Sequence, residues 1–360
     1  MADLFSSAHL GSLVVPNRLI RSATAERMSD PEGRPTASLL DLYRSLVNGG
    51  VGLIITGHMF VDPGGKCHAE MTGIHDDALV PALASLTETV HAAGGLVAAQ
   101  INHGGLQCSR ETVTEALAPS DAQASGEQPP ARAMRDAEIE QIIDAYAQAA
   151  RRAQAAGFDA VQLHGAHGYL ISQFLSPYAN RRTDAWGGDL PARMRFLREV
   201  CRSVRAAVAR DYPVLIKLGM ADGVEGGLSL DEGVGVVAAL ADMDVDGVEI
   251  SHGIGGRRRA KGRGHAPDCE HEADHLDLAR AARQVTPLPI ILVGGLRSRT
   301  VMDEILARGD ADFISLSRPL ICEPDLPARL RMGQARSACI SGNRCWPKGV
   351  DEGIACRCRK

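Results

Sequence analysis

The chain has 360 residues, 45% hydrophobic and 23% charged, with a formal net charge of −5. That balance excludes a disordered chain and leaves no basic excess for a general nucleic-acid surface. No apolar stretch approaches the ~20 residues of a membrane span, and the segment MADLFSSAHLGSLVVPNRLI lacks the features of a secretory leader, so a cytoplasmic protein without membrane partners is expected.

In chain order, short Val/Ile/Leu-rich runs alternate with longer stretches of helical periodicity. The first strand is predicted at Asn17 to Ala23, the second at Val51 to Thr56, followed by a helix over Ala78 to Ala93. The third strand, Leu96 to Ile101, opens a Ser/Pro/Ala/Gln-rich loop from His103 to Arg135 before the helix Asp136 to Ala156. Strand four, Phe158 to His164, precedes the helix Ala192 to Arg210, and strand five, Pro213 to Leu218, precedes Leu230 to Ala241. Strand six, Gly247 to Ser251, opens a second long loop from Gly253 to Asp274, then the helix His275 to Val285. Strand seven, Pro289 to Gly295, the helix Thr300 to Arg308 and strand eight, Asp312 to Ser317, complete the series. Gly94, Gly157 and Gly309 sit where helix C-caps belong.

Strands that are apolar throughout are buried on both faces, as in a parallel sheet wrapped by helices. Eight strand units in one chain fit a single α/β (β/α)8 TIM barrel, with residues 1–335 as the barrel and 336–360 as a short tail. No GxGxxG follows the first strand, which weighs against a dinucleotide-binding open sheet. Polar residues gather at the strand ends: Gln100, His164, Lys217, Ser251 with His252, Gly294 with Gly295, and Ser317 with Arg318. In a barrel these ends share one face, where active sites lie, and the long loops after strands three and six rim it.

The segment QLHGAHGYL places His164, His167 and Tyr169 directly after strand four. From the residues alone it is a catalytic group, a metal site or the polar lining of a turn. The longer run HGAHGYLISQFLSPYANRRTDAWGG resembles the old yellow enzyme family of NADH:flavin oxidoreductases and FMN-dependent ene-reductases. VPNRLIRSAT, GGVGLIITG, QINHGG, the VGG of strand seven and SLSRPLI of strand eight extend the resemblance over about residues 5 to 335.

The resemblance implies FMN as cofactor and NAD(P)H as co-substrate. It puts the flavin phosphate at Gly294, Gly295, Ser317 and Arg318, and the ring against Gln100, Lys217 and the main chain of Ala23 and Thr24. It gives His164 and His167 to a substrate oxygen and Tyr169 to proton donation, in ping-pong reduction of α,β-unsaturated carbonyl compounds. The chain departs from family patterns at Lys217, where arginine is frequent, at Ala25, where cysteine or threonine is frequent, and at Leu106, where a basic residue is frequent. Alternatives are flavin-dependent C–N oxidation or dehydrogenation, a non-catalytic flavin-binding protein, and a metal-dependent hydrolase using His164, His167, Asp222 and His252. Homo-oligomerisation stays open.

Cys339, Cys345, Cys356 and Cys358 crowd the tail, CISGNRCWPKGVDEGIACRCRK, which resembles the iron–sulfur segment of dienoyl-CoA reductases and trimethylamine dehydrogenase. Gly342 stands where a cysteine ligand is expected, so the tail is read as degenerate and cluster-free, with a metal site as the alternative. Arg257, Arg258, Arg259, Lys261 and Arg263 read as solvated surface, with attraction of an anionic substrate as the alternative. Cys269, His271 and His275 in CEHEADH read as a polar loop ahead of zinc ligation.

Overall fold

The computed structural model describes residues 3–254, 272–346 and 353–358. Its centre is a closed ring of parallel strands: β1 (Leu19–Arg21), β2 (Leu53–Ile55), β3 (Val97–Asn102), β4 (Ala160–Gly165), β5 (Val214–Gly219), β6 (Gly247–Ser251), β7 (Ile290–Val293) and β8 (Phe313–Leu316). Each pairs with the next in chain order, and β8 closes on β1 through Ile314 opposite Leu19 and Leu316 opposite Arg21. The eight predicted strands all fall at their expected places.

Helices follow the strands: α1 (Ala37–Asn48), α2 (Val80–Ala92), α3 (Asp136–Ala155), α4 (Arg195–Ala207), α5 (Leu230–Leu240), α6 (Leu276–Arg283), α7 (Arg299–Arg308) and α8 (Leu326–Arg331). Helix α1 has no counterpart among the predicted elements. Its N-cap Thr36 makes no side-chain capping bond and its first turn carries no acid, so the usual start signals are missing; Leu39, Tyr43 and Leu46 nevertheless share its buried face. Helix α4 is shorter than the predicted span because a separate turn, Leu190–Arg193, capped by Asp189, precedes it. Gly94, Gly157 and Gly309 take the predicted left-handed conformation after α2, α3 and α7. Among the described residues, no helix is long and apolar enough to cross a membrane.

Hydrophobic burial divides into two zones. The larger lies between strands and helices and includes Leu39, Leu83, Ile142, Val200, Val236 and Met302. The smaller fills the barrel itself: Ile20, Leu53, Ile55, Ala98, Ala160, Leu215, Ile291 and Phe313. A hairpin before β1, pairing Ala8–Leu10 with Leu13–Val15, inserts Leu10 and Val15 into this second cluster and stoppers the N-terminal end of the barrel. The opposite end is left to loops. In the loop after β3, the short strands Ala116–Ala118 and Ala131–Ala133 pair in a stretch predicted to be loop-like.

Phe313 is fully buried and is the largest side chain of the inner cluster. Phe313→Ala is expected to cost about 3–5 kcal/mol of unfolding free energy in denaturant titration, because a closed ring of strands cannot collapse onto the void. A loss below about 1 kcal/mol would show that the barrel interior relaxes freely.

Candidate active site

Strand side chains alternate between the two faces, so in the barrel every second residue points inward. Above the apolar layer this rule brings Gln100, Gln162, Lys217 and Glu249 onto one level, all at most 3% exposed. Gln100 Nε2 donates to Gln162 Oε1 at 2.7 Å, and Gln162 Nε2 donates to Glu249 Oε2 at 3.0 Å. Ser22 Oγ and Lys217 Nζ donate to Glu249 Oε1 at 2.7 and 3.2 Å, and Lys217 Nζ also reaches Ser22 Oγ at 2.9 Å. Burial drives the Glu249 pKa up, but the Lys217 charge and the hydrogen bonds from Ser22, Gln162 and Lys217 outweigh it and leave the carboxyl below its ordinary range.

At the end of β4 the backbone turns sharply: His167 and Gly168 both have positive φ, 60° and 75°. The histidine conformation costs roughly 1–2 kcal/mol and has to be held by its surroundings. Its amide donates to His252 O at 3.0 Å and its Nε2 meets Ser251 Oγ at 2.7 Å, so the loop after β6 pins it. Gln173 braces the same turn by donating to Gly168 O and Gly104 O. His164 Nδ1 accepts the Ala166 amide at 3.3 Å, which fixes the ring proton on Nε2 and makes that nitrogen a donor. Ring centroids of His164 and Tyr169 lie 4.5 Å apart, and those of His164 and His167 5.1 Å apart. The three predicted residues do converge.

A fourth aromatic joins them. The His58 ring, on the loop after β2, lies 5.0 Å from Tyr169, and its Nδ1 meets Asn102 Nδ2 at 3.0 Å. On the other side of the barrel mouth, Gly294, Gly295, Ser317 and Arg318 line a cavity of about 60 Å³ together with Arg297, Ser315 and Ser341. Gly294 and Gly295 have φ of 120° and 70°, conformations that glycine alone adopts readily. Thr24 lies at this rim, its hydroxyl 2.8 Å from Ser317 Oγ, and so is spent on joining the ends of β1 and β8.

Asp222 belongs elsewhere. Its carboxylate accepts the Ser176 hydroxyl and the amides of Leu228 and Ile254 at 2.5, 2.7 and 2.8 Å, bracing loops and removing the carboxylate that the hydrolase alternative requires. The basic run Arg257 to Arg263, Cys269 and His271 lie outside the described residues. His275 is described, its ring 4.6 Å from that of His252. In the tail, burial together with the neighbouring Cys339, Cys356 and Cys358 pushes the Cys345 thiol up to about 11, so the four sulfurs sense one another. Sequence reasoning gives no role to Ser22, His58, Gln162 and Glu249, although Ser22 lies in VPNRLIRSAT and Gln162 opens QLHGAHGYL. The signal for two of them is a period of two: Gln162 stands two before His164, and Glu249 two before Ser251.

Residues 3–337 match the NADH:flavin oxidoreductase / NADH oxidase family. The chain belongs to this family. It is 36% identical over 365 residues to the NADH oxidase of Thermoanaerobacter brockii, covering 99% of this chain but 55% of that protein. The solved 2-naphthoyl-CoA reductase complexed with 2-naphthoyl-CoA superposes with a TM-score of 0.87 at 26% identity, over 94% of this chain and 54% of the other. The old yellow enzyme homologue of Zymomonas mobilis does so with a TM-score of 0.81 at 28% identity, over 97% and 99%. The chain thus spans about half the length of the first two and nearly all of the third.

As in the rest of the family, the cofactor is FMN. The residues present fit it. Ser315 Oγ is buried beside the glycine-lined cavity with no hydrogen-bond partner among the described residues, a donor awaiting an oxygen. Backbone amides in left-handed conformation and the Arg318 guanidinium suit a phosphate, and the Gln100 amide and Lys217 ammonium suit a flavin ring.

His103, wholly buried at the end of β3, gives a measurable pH dependence. Burial pushes its imidazole from 6.5 down to about 4, with Asp62 opposing only in part. The native state therefore resists a proton that the unfolded chain accepts, so this contribution to stability is complete above pH 6.5 and lost as pH falls towards 4. Tm should fall over that window less steeply in His103→Gln than in the wild type; parallel curves would exclude His103 as a source.

Proposed function

We propose that the barrel, residues 1–335, is an NAD(P)H-dependent flavin oxidoreductase of the old yellow enzyme type that reduces activated C=C bonds of α,β-unsaturated carbonyl compounds, with residues 336–360 as an appended tail. The carrying observation is the convergence of Tyr169 with His164 and His167 at the mouth, opposite a cradle suited to FMN. FMN, reduced by NAD(P)H, supplies the hydride.

The phosphate is held by Gly294, Gly295, Ser317 and Arg318, and the ring by Gln100, Lys217 and the main chain of Ala23 and Thr24. His164 Nε2–H, oriented through Nδ1, and His167, held by Ser251, donate to the substrate carbonyl oxygen, where negative charge grows as the β-carbon is reduced. Donors fixed before the reaction need no reorganisation during it. Tyr169 then delivers a proton to the α-carbon. Its ring is 4% exposed and packs with Phe60, Cys67 and Met71, a setting that excludes competing water.

Tyr169→Phe should slow reoxidation of the reduced flavin by an enone about 10²–10⁴-fold while leaving flavin reduction by NAD(P)H nearly intact in stopped-flow measurements. Equal loss in both half-reactions would reject the proton-donor role. Bleaching of the flavin by an amine, with no response to enones, would move the reaction to C–N oxidation.

A further inference from the structure

Glu249 is a charge inside the barrel to which the proposed chemistry gives no role. It is fully buried, lies in register with Lys217 on the neighbouring strand, and sits immediately above an apolar layer. Burying an ion pair at such a level is a poor way to gain stability, since a well-packed apolar pair commonly does as well or better. What the pair does supply is a fixed field and a fixed set of hydrogen bonds.

An ionised carboxylate only accepts. Glu249 Oε2 therefore compels Gln162 to turn its NH2 group inward at 3.0 Å, which leaves Gln162 Oε1 to accept from Gln100 Nε2 at 2.7 Å. Gln100 in turn is fixed with its amide nitrogen toward Gln162, which leaves its amide oxygen and one N–H to present to a neighbour. Two amide orientations thus follow from one charge. On its other oxygen, Glu249 holds Lys217 Nζ at 3.2 Å with Ser22 bridging the pair, so the ammonium is both anchored and partly neutralised.

We propose that Glu249 is the positioning residue of the flavin site: it orients Gln100 through Gln162, anchors Lys217, and offsets the lysine charge so that the flavin's reduction potential is held down. The inference rests on the reading that Lys217 faces the flavin ring. An uncompensated ammonium would stabilise the anionic reduced flavin, whereas a paired one does so much less.

The test is the midpoint potential of the FMN-loaded holoenzyme, measured by spectroelectrochemistry at a single pH for four proteins. Glu249→Gln is expected to raise the potential, with the ratio of affinities for reduced over oxidised flavin increasing by about tenfold or more. Lys217→Gln is expected to lower it, and the double variant to return close to the wild type. A Glu249→Gln potential equal to the wild type, or a double variant that stays at the Lys217→Gln level, would overturn the role of Glu249 alone. An unchanged potential in Lys217→Gln would overturn the reading of Lys217 and this inference with it. The double variant removes both charges together, so if one single variant fails to fold, the other single variant compared with the double still decides the matter. A simple loss of packing would lower Tm without moving the potential in opposite directions.

Discussion

Closure of β8 onto β1 is the constraint on which the remaining structure depends. Once the sheet has no edge, its inward positions share one column of space, and each residue's parity along its strand decides whether it meets the helices or the barrel axis. Ile20, Ala160, Leu215 and Phe313 fill the lower part of that column with hydrocarbon, and the hairpin carrying Leu10 and Val15 seals it from below. Polar side chains two residues further along β3, β4, β5 and β6 have no water to turn to and must satisfy one another. The result is the chain of donors that ends on Glu249.

This arrangement divides labour by depth. At the lower polar level, hydrogen bonds between neighbouring strands fix the side-chain orientations. At the mouth, the side chains stand on turns that other loops hold in place: His167 is kept in a left-handed conformation by the loop after β6, and the Tyr169 turn is tied to the loop after β3 by Gln173. Rigidity is thereby transmitted from the barrel to loops that would otherwise fray. In the proposed reading, the deep charges act on electron affinity and the shallow donors on what is bound and protonated.

Much of this is legible in the amino-acid order. Continuous apolar runs mark all eight strands, because burial on both faces leaves little room for polar residues, and the exceptions at strand ends point to one face of a barrel. His164, His167 and Tyr169 are visible as a dense polar motif after a strand. Gln162 and Glu249 are easily passed over because each looks like a single polar interruption in an apolar run; only the side-chain hydrogen bonds across the barrel show that four interruptions form one group. His58 escapes for a different reason. It approaches Tyr169 through a loop whose path depends on tertiary contacts, and no local pattern encodes that approach. Helix α1 is hidden because its signals are packing rather than capping.

The tail bears on the cofactor cradle in a way that its cysteines do not suggest. Arg318 Nη1 donates to Ser341 O at 3.3 Å and to Asn343 Oδ1 at 2.7 Å, while Arg297 reaches Cys339 O at 3.4 Å. Ser341 itself lines the cavity, although it lies beyond residue 337, where the match to the family ends. The cavity is therefore walled on one side by a residue outside the family match. Substitutions between Cys339 and Asn343 thus reach the lining of this cavity and the arginines beside it without touching His164, His167 or Tyr169.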